Sequence, residues 1–141
     1  MDDIRNADLD PALVEDPYDF QRLIGFRMTG WGEGYSRFDL PLEPKLLNRY
    51  GIPHGGVYAC LLDTVMGFAG SFTGDPDNRR MVMTLSLTTN FLGRPVGDLL
   101  SGEGRRTGGG RSTYFAEGEL TDDSGNVVAT GVGTFRYRKG A

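Results

Sequence analysis

The stretch HGGVYACLLDTVMGFAGSF, residues 54–72, decides the fold of this chain. A helix that faces water on one side shows polar residues on that side, but this stretch is apolar all round and carries one charge, Asp63. The pattern predicts a core helix over residues 57–72, surrounded by the rest of the domain. A carboxylate in such a helix is costly unless it is paired or lies in a cavity. Asp63 is therefore a candidate for a structural hydrogen bond or for a catalytic group.

The predicted helix begins at the only histidine of the chain, His54, which is followed by Gly55 and Gly56. The first N–H groups of a helix have no acceptor inside the helix, and glycine leaves them uncovered. Such a terminus favours an anion or an oxyanion that forms during a reaction. The start of this helix is thus a second candidate site.

The spacing of His54 and Asp63 keeps the two side chains apart within one chain. They are nine residues apart, which is about 13–14 Å along a helix axis, and the helical phase places them on opposite faces. Two copies of the helix related by a two-fold axis would bring the two groups together. If both groups are catalytic, the site should straddle a dimer interface.

Length and composition limit the class of protein. A chain of 141 residues suits one domain, and a single cysteine cannot form an internal disulfide. No signal-peptide pattern opens the chain, and the apolar helix is too short for a membrane span. The net charge of −4 argues against general nucleic-acid binding. We expect a cytoplasmic protein with neither a membrane nor a nucleic acid as its partner.

The remaining sequence predicts an α+β domain with one antiparallel sheet of about six strands curved around the helix. The strands are expected where apolar residues alternate between turn signals, over 21–30, 33–40, 81–92, 97–106, 111–121 and 126–138. Residues 1–20 are rich in aspartate and are interpreted as an acidic N-terminal arm. Residues 21–141 are interpreted as the single folded domain.

The predicted strand 81–92 alternates with period two, which assigns its side chains to two faces. The apolar face would hold Met83, Leu85, Leu87 and Phe91. The polar face would hold Thr84, Ser86, Thr88 and Asn90, lining a groove or facing solvent.

Several familiar chemistries lack the residues they need. One histidine and one cysteine do not build a common zinc site, so no metal is expected. Gly102 and Gly104 lack the strand–turn–helix context of a dinucleotide site and are interpreted as loop glycines. The chain contains no G-x-S-x-G elbow and no Walker motif.

The residues that remain form a recognisable pattern. Asn48, five intervening residues, His54-Gly55-Gly56, six intervening residues and then Asp63 resemble the hotdog-fold acyl-CoA thioesterases of the phenylacetic-acid-degradation (PaaI) type. The similarity extends over about residues 20–138 and is strongest over 48–67.

This resemblance implies a role for each residue of the pattern. Asn48 would orient the site, His54 would lie next to the thioester, and the Gly55 N–H would polarise its carbonyl. Asp63 of the opposite subunit would activate water or attack the carbonyl directly, and Thr84 would help to place the water. The resemblance also implies a dimer with shared active sites that pairs into a homotetramer.

Substrate binding is expected to involve further residues. Coenzyme A, which is part of the substrate and not a cofactor, would lie near Gly110 and Arg111, with Arg94, Arg105 and Arg106 as other candidates for its phosphates. Gly56 is also expected to contribute to the binding of the substrate. The acyl pocket would use Phe68, Met81 and nearby apolar residues such as Phe72.

Other interpretations remain open at this point. A hotdog hydratase or dehydratase also uses a histidine and a carboxylate, and some hotdog domains bind acyl-CoA without turnover. The sequence leaves the acyl group undecided between an aromatic one, such as phenylacetyl, and a medium chain. It also leaves undecided whether Asp63 acts as a nucleophile or as a general base.

Overall fold

A computed structural model describes residues 9–139 of the chain. Two short helical segments of the 3-10 type, Pro11–Leu13 and Pro44–Leu46, accompany the regular elements. The helices are α1 (Asp19–Ile24) and α2 (Gly55–Ala69). The strands are β1 (Arg27–Gly32), β2 (Tyr35–Pro41), β3 (Val82–Phe91), β4 (Leu99–Gly109), β5 (Thr113–Thr121) and β6 (Val127–Tyr137).

The six strands form one antiparallel sheet in the order β1-β2-β4-β5-β6-β3, and α2 packs on one face of it. The predicted α+β class, the six strands and the single long helix are confirmed. The helix supplies the centre of the core, since Leu61, Leu62, Val65 and Met66 are completely buried against the sheet. The described residues form no helix that is long and apolar enough to cross a membrane.

Close contact between α2 and the sheet requires glycine in β4. A Cβ atom on Gly104 would lie 2.2 Å from the Val65 carbonyl oxygen, and one on Gly102 would crowd Val65 and Leu61. The interpretation of these glycines as loop residues was wrong, because they occupy the middle of a strand. Ser36 on β2 fixes the same turn of the helix by donating a hydrogen bond to the Val65 carbonyl at 2.7 Å.

The prediction of a strand over 21–30 was wrong in its first half. Residues 19–24 form α1 instead, and β1 starts only at Arg27. Gly25 has a φ of 101° and its N–H donates to the Gln21 carbonyl, a left-handed end that commonly stops a helix. The buried Phe26 then leads the chain into the sheet.

The helix α2 is not surrounded on every side, as its apolar sequence had suggested. A stripe along it stays partly exposed within the described chain, and the stripe contains Ala59, Cys60, Asp63, Thr64 and Gly67. These five residues are small or polar, and Phe68, which is also partly exposed, borders them. The apolar sequence therefore conceals an open face, on which Asp63 lies.

Strand β3 is an edge strand whose faces differ from those predicted. Its register against β6 shifts between Thr84 and Ser86, which is a β-bulge at Leu85. A bulge moves all later side chains to the opposite face. Thr84 and Leu87 therefore both face α2, paired with the inward Phe135 and Gly133. The simple alternation over 81–92 was wrong because it did not include this extra residue.

The acidic arm lies partly outside the described residues, which begin at residue 9. In the part that the structure describes, Leu13 is buried and Glu15 forms an ion pair of 2.6 Å with Arg79. This part of the arm is thus held against the domain. The division of the chain at residue 20 stays a prediction.

Candidate active site

The N-terminus of α2 holds one backbone donor that has no acceptor among the described residues. His54 is the N-cap, and its Nδ1 accepts a hydrogen bond from the Gly56 N–H at 2.8 Å. The Gly56 amide is thereby occupied, and the neutral imidazole carries its proton on Nε2. The next amides, of Val57 and Tyr58, both donate to the His54 carbonyl. Among the first amides of α2, only the Gly55 N–H has no acceptor within residues 9–139.

Asp63 lies two turns further along the helix and is held by β3. The Thr84 hydroxyl donates a hydrogen bond to Asp63 Oδ1 at 2.6 Å. This contact is possible because Thr84 precedes the bulge and its side chain lies on the face of the sheet that packs against α2. The carboxylate is partly exposed on the open stripe of α2. It is therefore accessible to a ligand and is not a sealed structural group.

Asn48 shapes the loop that leads to His54. Its side-chain oxygen accepts from the Tyr50 N–H at 2.8 Å and from the Ile52 N–H at 3.4 Å. The loop is closed further by the His54 N–H, which donates to the Leu46 carbonyl at 2.9 Å. In one chain, Asn48 thus supports the entry to α2, and its side-chain hydrogen bonds to described residues stay within its own loop.

The end of β3 adjoins the start of α2. A Cβ atom on Gly55 would lie 3.7 Å from the Phe91 ring. Tyr58 stacks on the same ring at 6.1 Å, and its hydroxyl donates to the Gly93 carbonyl at 3.2 Å. Arg94 follows directly and is exposed. The two ends of β3 therefore mark the two halves of the candidate site, Thr84 with Asp63 and Phe91 with Gly55.

A basic cleft of about 690 Å³ opens at the Thr84 end of β3. Its cations are Arg79, Arg80, Arg111, Arg136, Arg138 and Lys139. The predicted Arg111 lies in this cleft and Gly110 directly precedes it, while Arg94 follows the far end of β3. Met81 lines the basic cleft too, so it lies apart from the predicted acyl-pocket residue Phe68.

Phe68 borders a second, smaller cavity. This cavity has a volume of about 120 Å³, and Phe38, Met28 and Tyr18 also line it. The Phe68 ring lies 5.1 Å from Phe38. Phe68 thus lies in a cavity wall to which the described part of the N-terminal arm also contributes.

Partial burial raises the pKa of two groups near Asp63. The pKa of the Cys60 thiol is raised to about 11, first by burial and then by the charge of Asp63. The pKa of the Tyr18 hydroxyl is raised too, mainly by burial. Both groups are therefore protonated at neutral pH and act as neutral neighbours of the carboxylate.

Sequence reasoning missed Tyr18 and most cations of the basic cleft. Arg136 lies in β6 and Arg138 directly follows this strand. Residues two apart in a strand lie on the same face of the sheet, so the two arginines are expected on a common outward face. That signal was present in the sequence, but nothing linked these residues to Arg79 or Arg80 before the fold was known. Within residues 9–139, no group of three or more His, Cys, Asp or Glu is arranged to hold a metal ion.

Comparison with known proteins identifies the family of the chain. The family model of the "Thioesterase superfamily" matches residues 50–129, more than half of the chain. A "Putative esterase" of Mycobacterium tuberculosis is 27% identical over 122 residues, which is 86% of each chain.

Solved structures show the same fold. A conserved protein of Pseudomonas aeruginosa has a TM-score of 0.79 at 28% identity, over 90% of this chain and 97% of that one. The PaaI protein of the Escherichia coli phenylacetic acid degradation operon has a TM-score of 0.77 at 20% identity, over 88% of this chain and 87% of that one. The chain therefore belongs to the thioesterase superfamily, with the hotdog fold that PaaI also has.

Proposed function

We propose that this protein hydrolyses acyl-CoA thioesters to a free acid and coenzyme A, in active sites that two protomers share. The observation that carries the proposal is the pair of half-sites at the two ends of β3. One half-site offers a carboxylate that Thr84 orients, and the other offers the Gly55 N–H without an acceptor among the described residues. Hydrolysis of a thioester needs a base or nucleophile and a donor for the oxyanion.

The exposed edge of β3 supports a dimer. Leu85 is 50% exposed and Phe91 is 55% exposed, and the outer edge of this ten-residue strand has no neighbour within the described chain. An exposed apolar edge strand is a ready template for pairing with another chain. A second copy of β3 would satisfy this edge and extend the sheet across the dimer.

Antiparallel pairing of two β3 strands would bring the half-sites together. Thr84 and Phe91 are seven residues apart, about 23 Å along a strand. A two-fold axis near the middle of the strand would place Thr84 of one protomer close to the Phe91 end of its partner. Asp63 of the first chain would then approach Gly55 of the second, which neither chain achieves alone.

The chemistry follows from these positions. The Gly55 N–H would stabilise the oxyanion that forms when the thioester carbonyl is attacked, and a donor of this kind is typically worth about 3–4 kcal/mol. Asp63 would accept a proton from the attacking water, or attack the carbonyl itself to form an anhydride that water then opens. In both routes the C–S bond breaks and the thiolate of CoA leaves. His54 would lie beside the thioester with its Nε2–H as a donor.

The basic cleft supplies the recognition of CoA. Six cations surround it in a protein whose net charge is −4, and guanidinium groups bind phosphates well. Its position at the Thr84 end of β3 would place the phosphates within reach of the shared site. In the paired arrangement, Arg94 of the partner would approach the same region.

Two finer parts of the proposal concern the assembly and its location. Phe115 and Val132 are half-exposed on the face of the sheet away from α2, and we propose that two dimers pack on this face as a homotetramer. A cytoplasmic location accords with the single cysteine.

The test is a panel of acyl-CoAs, including phenylacetyl-CoA and medium chains, assayed for release of free thiol by the wild type and by Asp63→Asn. Asparagine keeps the acceptor for Thr84 but removes the base, so we expect at least a hundredfold loss of kcat, roughly 2.7 kcal/mol. The exposed Asp77 provides the matched control Asp77→Asn, which should keep full activity.

The results separate the proposal from its alternatives. An active Asp63→Asn enzyme would contradict the assignment. Addition or loss of water on the acyl chain without thiol release would indicate a hydratase, and tight binding without turnover would indicate a binding module. Oxygen-18 from water in Asp63 after one turnover would favour the covalent route over general-base catalysis.

A further inference from the structure

The segment from Val14 to Gln21, which we call the N-terminal strap, closes the cavity beside Phe68. The strap crosses the open side of α2 and contributes several residues to the cavity wall. Apolar and aromatic side chains form most of the wall, among them Tyr18, Met28, Phe38 and Phe68, and Glu15, Gln21 and Arg27 add polar groups to it. The part of the arm that the structure describes is thus built into a cavity of the domain.

Tyr18 connects this strap to α2. Its ring lies edge-on to Phe26 at 6.2 Å, and its hydroxyl lies close to Thr64 of the helix. The single proton of the Thr64 hydroxyl already goes to the Cys60 carbonyl at 2.8 Å. The Tyr18 side chain thus reaches from the Phe26 ring to a threonine whose own proton is bonded within the helix.

The cavity lies on the acyl side of the proposed reaction centre. Thr64 is the residue after Asp63, and Phe68 is five residues beyond Asp63, about 7.5 Å along the helix and about 140° around it. Asp63 has Thr84 on one side and lies near Tyr18 on the other. An acyl group whose carbonyl lies at Asp63 would therefore extend toward Tyr18, which lines the same cavity as Phe68.

We propose that Tyr18 is a specificity-determining residue whose ring closes the end of the acyl site and sets the largest acyl group that the enzyme accepts. This inference rests on the proposed thioesterase function. The cavity of about 120 Å³ is comparable to an apolar protein cavity of about 150 Å³ that admits benzene. It accommodates a ring or a short run of methylenes and stops a longer chain at the tyrosine.

The experiment compares kcat/KM for butanoyl-, hexanoyl-, decanoyl- and hexadecanoyl-CoA in the wild type, Tyr18→Ala and Tyr18→Phe. Removal of the ring should raise the ratio of decanoyl to hexanoyl activity by about tenfold or more, since one methylene in a pocket can be worth that factor. Tyr18→Phe keeps the ring and should keep the wild-type preference to within about threefold.

Phe20→Ala is the matched control for a general disturbance of the strap. Phe20 belongs to the same strap and contacts Phe26 edge-on at 6.5 Å, but it does not line the cavity. Its replacement should leave the preference for chain length unchanged. Thermal unfolding of all three variants checks that the domain stays folded.

The possible results are distinguishable. If the wild type releases no thiol from any acyl-CoA, the proposed function fails and the inference fails with it. If the wild type is active but Tyr18→Ala keeps the wild-type preference, or loses activity equally on all chains, the inference is wrong and the function stands. If Phe20→Ala or Tyr18→Phe changes the chain-length preference as much as Tyr18→Ala does, the result would likewise contradict the proposal that the tyrosine ring closes the acyl site.

Discussion

Replacement of Gly55 by proline would remove one N–H from the site at little cost to the helix. Gly55 is the first helical residue after the N-cap His54, and proline is favoured at that position because its fixed φ suits the helix and its missing N–H has no intrahelical acceptor. His54 has φ −60° and ψ 141°, which is the extended conformation that a residue before proline adopts. The variant therefore isolates the proposed oxyanion donor.

The expected loss follows from the contacts of that N–H. It makes no hydrogen bond to the described residues, so its removal should leave the unfolding temperature nearly unchanged. Loss of one oxyanion donor typically lowers kcat by about 10²–10³, or about 2.7–4 kcal/mol. Because this interaction strengthens in the transition state, kcat should fall and KM should change little.

Gly55→Ala is the matched control because it keeps the N–H. Its Cβ would lie at an ordinary contact distance of 3.7 Å from Phe91. Both variants are assayed by initial rates of thiol release from one acyl-CoA, with circular dichroism as the check of helix content. If Gly55→Pro is folded and its kcat is within about threefold of that of Gly55→Ala, the Gly55 N–H is not the oxyanion donor.

Two further predictions concern the basic cleft and the pH dependence of stability. The double variant Arg111→Ala/Arg136→Ala should raise KM for an acyl-CoA by about tenfold or more, since hydrogen bonds to charged groups are worth about 1.5–3 kcal/mol. It should leave KM unchanged for an acyl-N-acetylcysteamine thioester, which lacks the nucleotide, and Arg22→Ala serves as the control variant. An equal effect on both substrates would contradict phosphate binding by the cleft. Because burial raises the pKa of Cys60 from 9.0 to about 11, the folded state holds this proton more tightly than the unfolded state. The contribution of this proton to the stability of the fold is complete below pH 9 and is lost as the pH rises through about 11. The unfolding temperature should therefore fall over that range, and it should fall less in Cys60→Ala. An equal fall in both proteins would show that Cys60 is not responsible.

The fold was predictable because its signals are local. The run 54–72 is long and apolar, and glycine clusters separate the strands, so element types follow from periodicity and turn residues. The structure also brings Thr84 to Asp63, although the alternation predicted for that strand was wrong. The contact survives because Thr84 precedes the bulge at Leu85.

The remaining features depend on contacts between distant parts of the chain. The bulge at Leu85 is defined by the pairing of β3 with β6, and no property of residues 81–92 alone indicates it. The basic cleft joins Arg79 and Arg80 to Arg136 and Arg138 across more than fifty residues, so only the fold assembles it. The helix α1 was missed because the left-handed Gly25 was interpreted as part of a strand.

The central claim is that each active site combines Gly55 of one protomer with Asp63 of the other. It is tested by expressing Gly55→Pro and Asp63→Asn chains together in equal amounts and measuring thiol release by the purified mixture. In a mixed dimer, one site receives both defects and the other receives neither. The mixture should therefore regain about a quarter of the wild-type activity, since about half of the dimers are mixed and each has one intact site. Activity no higher than that of the two inactive parents, in a mixture shown to contain mixed dimers, would contradict a shared site.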